Sequence, residues 1–270
     1  MRILVASDLH LESTGAEHIR RLVAGMEREE PEMVILGGDL GNPPHLFREC
    51  LRLFSLLRCP VAVLAGNHDV WSKNGFSSER LFQIVLPGMV RECGYHWLEE
   101  GPVVAGSVAV AGSIGWYDYS ASDPEFRLST EQIRHAKPRY AADAMYVNWH
   151  YSDEQFADEC RERLKAQLAQ LEANPAVREV LVVTHMPVFP EQIDQRPEDP
   201  EWRRGNAYFA HYTLGERIKR FAKVRYVVSG HTHVGLNGVV ERPGMDPIAT
   251  AVVPSDYGRP RWITLDIAGP

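Results

Sequence analysis

Val34-Ile35-Leu36-Gly37-Gly38-Asp39-Leu40 is a short apolar run with β-branched members that ends in paired glycines, the pattern of a buried strand running into a tight turn. The turn leaves Asp39 at the carboxyl end of the strand. In open α/β sheets ligands collect at that edge, and glycines without Cβ let an ion or a substrate approach the backbone there. Taken alone, Gly-Gly-Asp reads as well as the cap of a following helix. The choice rests on whether other strands deliver chemistry to the same edge.

Upstream, Ile3-Leu4-Val5-Ala6 predicts a first strand ending in Ser7-Asp8-Leu9-His10. On an extended segment Asp8 and His10 project to one side and can grip one ion. Ile19, Leu22, Val23 and Met26 predict an amphipathic helix over 17–29, ended by Pro31, so that Asp8 and Asp39 share one end of adjacent parallel strands. Downstream, 46–57 predicts a second covering helix, and Val61-Ala62-Val63-Leu64-Ala65 a third strand ending in Gly66-Asn67-His68-Asp69. Three such strand ends exceed what capping needs. Val180-Leu181-Val182-Val183 then runs into Thr184-His185-Met186-Pro187, and Tyr226-Val227-Val228 into Ser229-Gly230-His231-Thr232-His233, where two imidazoles share a direction.

Composition is compatible with this frame. At 270 residues and 44% apolar content the chain can build a substantial core, and with no repeat or low-complexity linker 1–270 reads as a single domain. A formal charge of -7 and a pI of about 5.9 provide no global positive field, so extended nucleic acid is not an expected partner and any grip on a phosphorylated ligand must be local. No apolar run approaches the roughly 18 residues that span a bilayer, so no membrane partner is expected. Cys50, Cys59, Cys93 and Cys160 form no Cys-x-x-Cys pair and read as idle thiols; a cytoplasmic protein is expected.

The rest is less specific. Val103-Val104-Ala105 and Val108-Ala109-Val110-Ala111 predict a hairpin, 153–171 a long charged helix, 190–205 a surface loop and 214–221 a helix whose basic residues are solvated. Val239-Val240, 248–253 and 262–267 are expected to complete a second sheet as antiparallel strands. Residues 114–150 are aromatic-rich and lack a clean period, as a lid or pocket wall would, or a satellite core. Trp116, Tyr117 and Trp149 are candidate stacking residues, with His150 beside them.

Asp8, His10, Asp39, Asn67, His68, His185, His231 and His233 mix carboxylate, amide and imidazole without thiolate, a set suited to divalent Mn, Fe, Zn or Co, with Mn the favoured ion. Eight candidates are too many for one ion, and two ions about 3.5 to 4 Å apart sharing a carboxylate would suit in-line displacement at phosphorus.

Asp8-x-His10, Gly38-Asp39, Gly66-Asn67-His68-Asp69, His185 and Gly230-His231-x-His233, in that order, resemble the motif set of the calcineurin-like metallophosphoesterase superfamily. The resemblance implies the metallo-dependent phosphatase fold: α/β, a four-layer α-β-β-α sandwich of two mixed β-sheets flanked by helices. It implies that Asp8, His10, Asp39 and His233 bind one ion and Asp39, Asn67, His185 and His231 the other. It implies further that His68 contacts the phosphate and protonates the leaving oxygen, with Asp69 orienting it, after in-line attack by a hydroxide held between the ions.

Branch signatures narrow the substrate. Gly38-Asp39-Leu40-Gly41-Asn42-Pro43-Pro44 departs from the Gly-Asp-x-x-Asp-Arg-Gly of the protein Ser/Thr phosphatases, and His68 stands where the lipid-A precursor hydrolases carry arginine. Thr184-His185-Met186-Pro187 is similar to the His-His-Pro-Pro stretch of cyclic-nucleotide phosphodiesterases, with Thr184 in place of histidine. The DNA-repair exonucleases share Gly-Asp-Leu and Gly-Asn-His-Asp but normally add a DNA-binding extension. The expected activity is a phosphodiesterase on small or nucleotide-like substrates. A phosphomonoesterase and an inactive metal-binding scaffold are the alternatives.

Overall fold

In the computed structural model, which describes residues 1–73 and 75–267, strands and helices alternate from the first residues onward. The first half runs β1 (Arg2–Ala6), α1 (Leu11–Thr14), α2 (Ala16–Glu27), β2 (Met33–Gly37), α3 (Pro44–Leu53), β3 (Val61–Leu64), α4 (Ser78–Arg80), α5 (Leu86–Glu92) and β4 (His96–Trp97). The second runs β5 (Val103–Ala105), β6 (Val108–Ser113), α6 (Thr130–Tyr140), α7 (Asp143–Tyr146), α8 (Asp153–Ala173), β7 (Glu179–Thr184), α9 (Pro200–Gly205), α10 (Tyr212–Ile218), β8 (Val224–Ser229), β9 (Leu236–Val240), β10 (Ile248–Val252) and β11 (Trp262–Asp266).

Two mixed sheets result. One has the order β11-β1-β2-β3-β4, parallel except for β11. The other has the order β5-β6-β7-β8-β10-β9, parallel in its centre with an antiparallel strand at each edge.

Alternation along the strands fixes the layers. Ile3 and Val5 of β1 and Met33 and Ile35 of β2 face Val108, Val110, Leu181, Val183 and Val228 of the opposite sheet. Their neighbours Leu4, Ala6, Val34 and Leu36 face α2, α3 and α5 instead. On the far side Val180, Val182 and Val227 pack on Leu164, Leu168 and Leu171 of α8 and on Leu214 and Ile218 of α10. Burial on both faces is why these strands read as unbroken apolar runs, and each such side chain contributes about 1.5–3 kcal/mol. The architecture is the expected α-β-β-α sandwich. No helix among the described residues is long and apolar enough to cross a membrane.

Several sequence expectations are corrected. Residues 262–266 do not join the second sheet: β11 lies antiparallel beside β1, with Arg2 opposite Asp266 and Ala6 opposite Trp262, and covers an edge β1 would otherwise expose. β10 pairs parallel with β8, not antiparallel. The stretch over 190–205 contains α9, capped by Asp199. The aperiodic 114–150 region holds α6, started by a Ser129–Gln132 capping box, and α7. Its aromatic residues serve packing, which needs no single period: Trp116, Tyr117 and Tyr119 join the cluster that backs the first sheet.

Candidate active site

Five strand ends meet at one rim, where the carboxyl ends of β1, β2 and β3 face those of β7 and β8. The loops after β1 and β2 stay zipped beyond the sheet, with the amides of Asp8, His10 and Leu11 donating to the carbonyls of Gly38, Asp39 and Leu40 at 3.0, 2.9 and 3.0 Å. The backbone does not stay extended. Asp8, His10, Asp39, His231 and His233 have φ of 56°, 40°, 53°, 71° and 58°. Asp8 and His10 therefore come together through left-handed turns rather than through same-side projection from a strand, and the same holds for His231 and His233. Each such residue costs about 1–3 kcal/mol, strain of the kind that collects at functional sites. Glycine is required where the turns touch: a Cβ on Gly66 would collide with the Asp39 carboxylate, and one on Gly230 with Ser7 Oγ and the Asp8 carboxylate.

The side chains form two adjoining groups with Asp39 in both. In the first, His10 Nε2 lies 3.3 Å from His233 Nε2 and 3.6 Å from Asp39 Oδ2, and His233 Nε2 lies 3.5 Å from Asp8 Oδ1. In the second, His185 Nε2 lies 3.5 Å from Asp39 Oδ2 and 3.0 Å from Asn67 Oδ1, which is 3.1 Å from His231 Nδ1. Asp8, His10, Asp39, Asn67 and His185 are buried, and His231 and His233 are half-buried. The motif resemblance implies the same two groups.

Second partners fix which atom each ring presents. His185 Nδ1 faces the Gly37 carbonyl at 3.0 Å, His10 Nδ1 faces Glu12 Oε1 at 3.4 Å, and His233 Nδ1 faces Asp256 Oδ1 at 3.6 Å. An acceptor at Nδ1 draws a proton there and turns Nε2 inward. Asn67 Nδ2 donates to Asp143 Oδ1 at 2.9 Å, which turns its carbonyl oxygen toward the two histidines. Spacing offers no signal for Glu12, Asp143 or Asp256, because each acts from a distant part of the chain or as one acidic residue among many.

Electrostatics follow from burial and crowding. Burial alone would raise the Asp39 carboxyl, but His185, His68 and His10 hold it well below the usual carboxylate range. Burial would lower His185, yet the Asp39 charge and hydrogen bond raise it to about 9. His231 is driven well down by burial and by the neighbouring histidines, which keeps it neutral.

Asp69 does not orient His68, contrary to expectation. Its carboxylate accepts the backbone N–H groups of Asp39, Leu40, Gly41 and Gly66 at 2.8, 2.9, 3.1 and 2.8 Å, and so pins the turn that carries Asp39. Burial and the Asp39 charge push this carboxyl up to about 7, against those donors. The His68 ring instead stacks on Trp71, with centroids 3.7 Å apart and planes at 25°. Its Nε2 lies 4.0 Å from Asp39 Oδ2, and burial lowers its pKa although Asp39 pulls the other way.

The expected stacking residues are not at the site surface. Trp116 and Tyr117 are fully buried, so neither ring offers a face to a ligand. Trp149 is half-buried against Trp116 and Phe156, and His150 is exposed and pairs with Glu79 at 2.9 Å. Aromatic rings that do adjoin the cluster include Trp71 beside His68, Phe209 at 5.9 Å from His231, and the exposed Tyr257, 4.7 Å from His10 and 4.9 Å from His233.

The donor set fits divalent cations. Ligands held at about 2.1 Å lie about 3.0 Å apart in an octahedron and about 3.4 Å apart in a tetrahedron, and the distances between these atoms run from 3.0 to 3.6 Å. With Nδ1 protonated, His10 and His233 bring two lone pairs within 3.3 Å, a repulsion that a cation between them removes. Combinations of Asp8, His10 and His233, of His10, Asp39 and His68, and of Asp8, Asp39 and His185 each place three donors close enough to share an ion.

Comparison with known proteins bears on the fold and on the family. Among solved structures the chain is similar to a phosphopantetheinyl hydrolase from Mycobacterium tuberculosis, at 20% identity and a TM-score of 0.69 over 97% of this chain and 95% of that one. It is also similar to a dimetal phosphatase from Danio rerio, at 15% identity and a TM-score of 0.59 over 98% and 91%. A Thermus thermophilus protein matches at 14% identity and a TM-score of 0.59 over 95% and 90%. No curated protein matches it in sequence. Residues 1–235, the span from the first strand to just past the last histidine pair, match the calcineurin-like phosphoesterase family, and the chain belongs to that family as a metal-dependent phosphoesterase.

Proposed function

We propose that the protein hydrolyses small or nucleotide-like phosphodiesters with two divalent cations, manganese being the first to test. The observation that carries this reading is Asp39 Oδ2, 3.6 Å from His10 Nε2 in one donor group and 3.5 Å from His185 Nε2 in the other. A single oxygen serving both groups is what a two-ion site needs. Asp8, His10 and His233 would complete one position, and Asn67, His185 and His231 the other. When bound, the ions supply Lewis acidity toward the phosphoryl oxygens and a water nucleophile usable at neutral pH.

The chain's own groups do the rest. A departing alkoxide needs a proton, and we assign its donation to His68; its 22% exposure on the flank of the cluster and its stack on Trp71 support that reading. Asp69 keeps the Asp39 turn in place and acts on the reaction only through it. Charge favours the diester over the monoester: among the described residues no Lys or Arg forms an ion pair or hydrogen bond with a candidate ligand, and a monoester dianion calls for more positive charge than a diester monoanion. We take 1–270 to act as one catalytic domain, in which 114–150 braces the site from behind. The unpaired thiols suit a reducing cytoplasm.

The test is an assay of metal-stripped protein with manganese restored, on bis-p-nitrophenyl phosphate, p-nitrophenyl phosphate, a nucleotide diester and a phosphopantetheinyl ester. Faster turnover of the diesters is expected. A preference for p-nitrophenyl phosphate would make the protein a phosphomonoesterase, and no turnover of any substrate would make it an inactive scaffold. His68→Ala should bind both ions yet lose roughly 10²-fold or more in kcat on a substrate with a poor leaving group.

A further inference from the structure

Behind the donor cluster lies a buried carboxylate that the reaction outlined above does not use. Asp143 opens α7 and is 3% exposed. Its Oδ1 accepts from Asn67 Nδ2 at 2.9 Å and from Trp71 Nε1 at 2.6 Å, and its Oδ2 accepts from Tyr117 Oη at 3.2 Å. One oxygen therefore holds two residues with separate jobs, an amide whose oxygen faces His185 and His231 and the indole on which His68 stacks. The end of the same helix is tied to the neighbouring loop, where Ser72 N–H donates to the Tyr146 carbonyl at 2.7 Å.

We propose that Asp143 is a positioning residue that couples the second cation position to the proton donor, setting the face of the Asn67 amide and the placement of the His68 ring through one carboxylate oxygen. The coupling comes from amide chemistry. A primary amide has an oxygen face and an NH2 face of nearly equal size, and only the oxygen face can ligate a cation. Nothing in the Asn67 backbone chooses between them. The acceptor at Asp143 does, because the flipped amide would set oxygen against oxygen there and turn its NH2 toward His185 and His231. The indole is controlled the same way, since its single N–H has the same oxygen as acceptor, and rotating Trp71 would break that bond and the stack on His68 together.

This inference rests on the two-cation reading, and the experiment separates the two. Manganese binding to the stripped full-length protein is followed by calorimetry, beside kcat on an alkyl and a p-nitrophenyl diester and the unfolding temperature. A wild-type protein that binds fewer than two ions refutes the two-cation reading itself. Given two wild-type steps, Asp143→Leu should weaken one of them about 10–100-fold and leave the other within about threefold. It should also slow the alkyl diester more than the p-nitrophenyl diester, because proton donation matters most for the poorer leaving group. Asp143→Asn keeps an acceptor oxygen for Asn67 and Trp71 and should restore both readouts to within about threefold, as should Tyr117→Phe, which removes only the third bond. Asp143→Ala gives the same reading if the leucine variant does not fold. Two unchanged binding steps, equal loss of both together with a lowered unfolding temperature, or an asparagine variant as impaired as the leucine variant would each overturn the proposal.

Discussion

The two donor groups share Asp39 but are supported in different ways. On the His10 and His233 side the rings lean on carboxylates that reach in from the surface: Glu12 at 3.4 Å, 29% exposed, and Asp256 at 3.6 Å, 60% exposed. On the His185 and Asn67 side the supports are interior, the Gly37 carbonyl at 3.0 Å and the buried Asp143 at 2.9 Å. Tyr257, which lies over the first group, is half in solvent, although the candidate ligands themselves are buried to a similar degree in both groups. Rigid buried supports hold ligand geometry at little further entropic cost, while mobile carboxylates must be ordered when an ion binds. Should both groups hold ions, the ion on the His185 and Asn67 side would be the fixed one and the ion on the His10 and His233 side the one that exchanges more readily.

The sharpest way to break this comparison is to remove what the two groups share. Asp39→Ala should cost both cations and lower kcat roughly 10³-fold or more; retention of one full-affinity manganese would show that the groups are independent. Next in size is the response to a chelator. Manganese should leave in two phases whose rates differ by about tenfold or more, read by a metallochromic dye, and a single phase would erase the distinction. Smallest are the supports of the exposed side. Glu12→Ala should weaken one binding step about tenfold, and Asp256→Ala, whose carboxylate is mostly in solvent, less than about threefold. The reverse order would place the effective support on the outer loop.

The architecture is largely legible in the sequence because its signal is local. A strand buried on both faces reads as an apolar run, and the abrupt change to Gly, Asp, Asn and His at its end marks the rim. The division of the candidates into two donor groups is what the motif resemblance implies; no spacing in the sequence gives it. The geometric reason expected for Asp8 and His10 does not hold, since the left-handed φ values of both residues replace an extended segment. Asp69 misleads because a residue next to His68 looks like its partner, whereas the turn at 66–70 sends that side chain back toward the backbone of 39–41. Trp116 and Tyr117 mislead because an aromatic cluster without a period looks the same whether it lines a pocket or fills a core. Asp143 and Asp256 are out of reach: the partner of the first lies 76 residues away at Asn67, and that of the second, His233, in the segment that follows the neighbouring parallel strand, and no spacing rule encodes either.

The placement of β11 has a consequence for how the protein is made. The strand that leads to Asp8 is synthesised long before its outer neighbour, 262–266. Until residues 262–266 have emerged, β1 has a bare flank open to mispairing with another nascent chain, and a chain that has reached only residue 235 lacks the loop bearing Asp256 and Tyr257 as well. A product stopped after residue 235 would carry every candidate ligand and still lack that flank, so premature termination is expected to yield aggregate rather than a smaller enzyme.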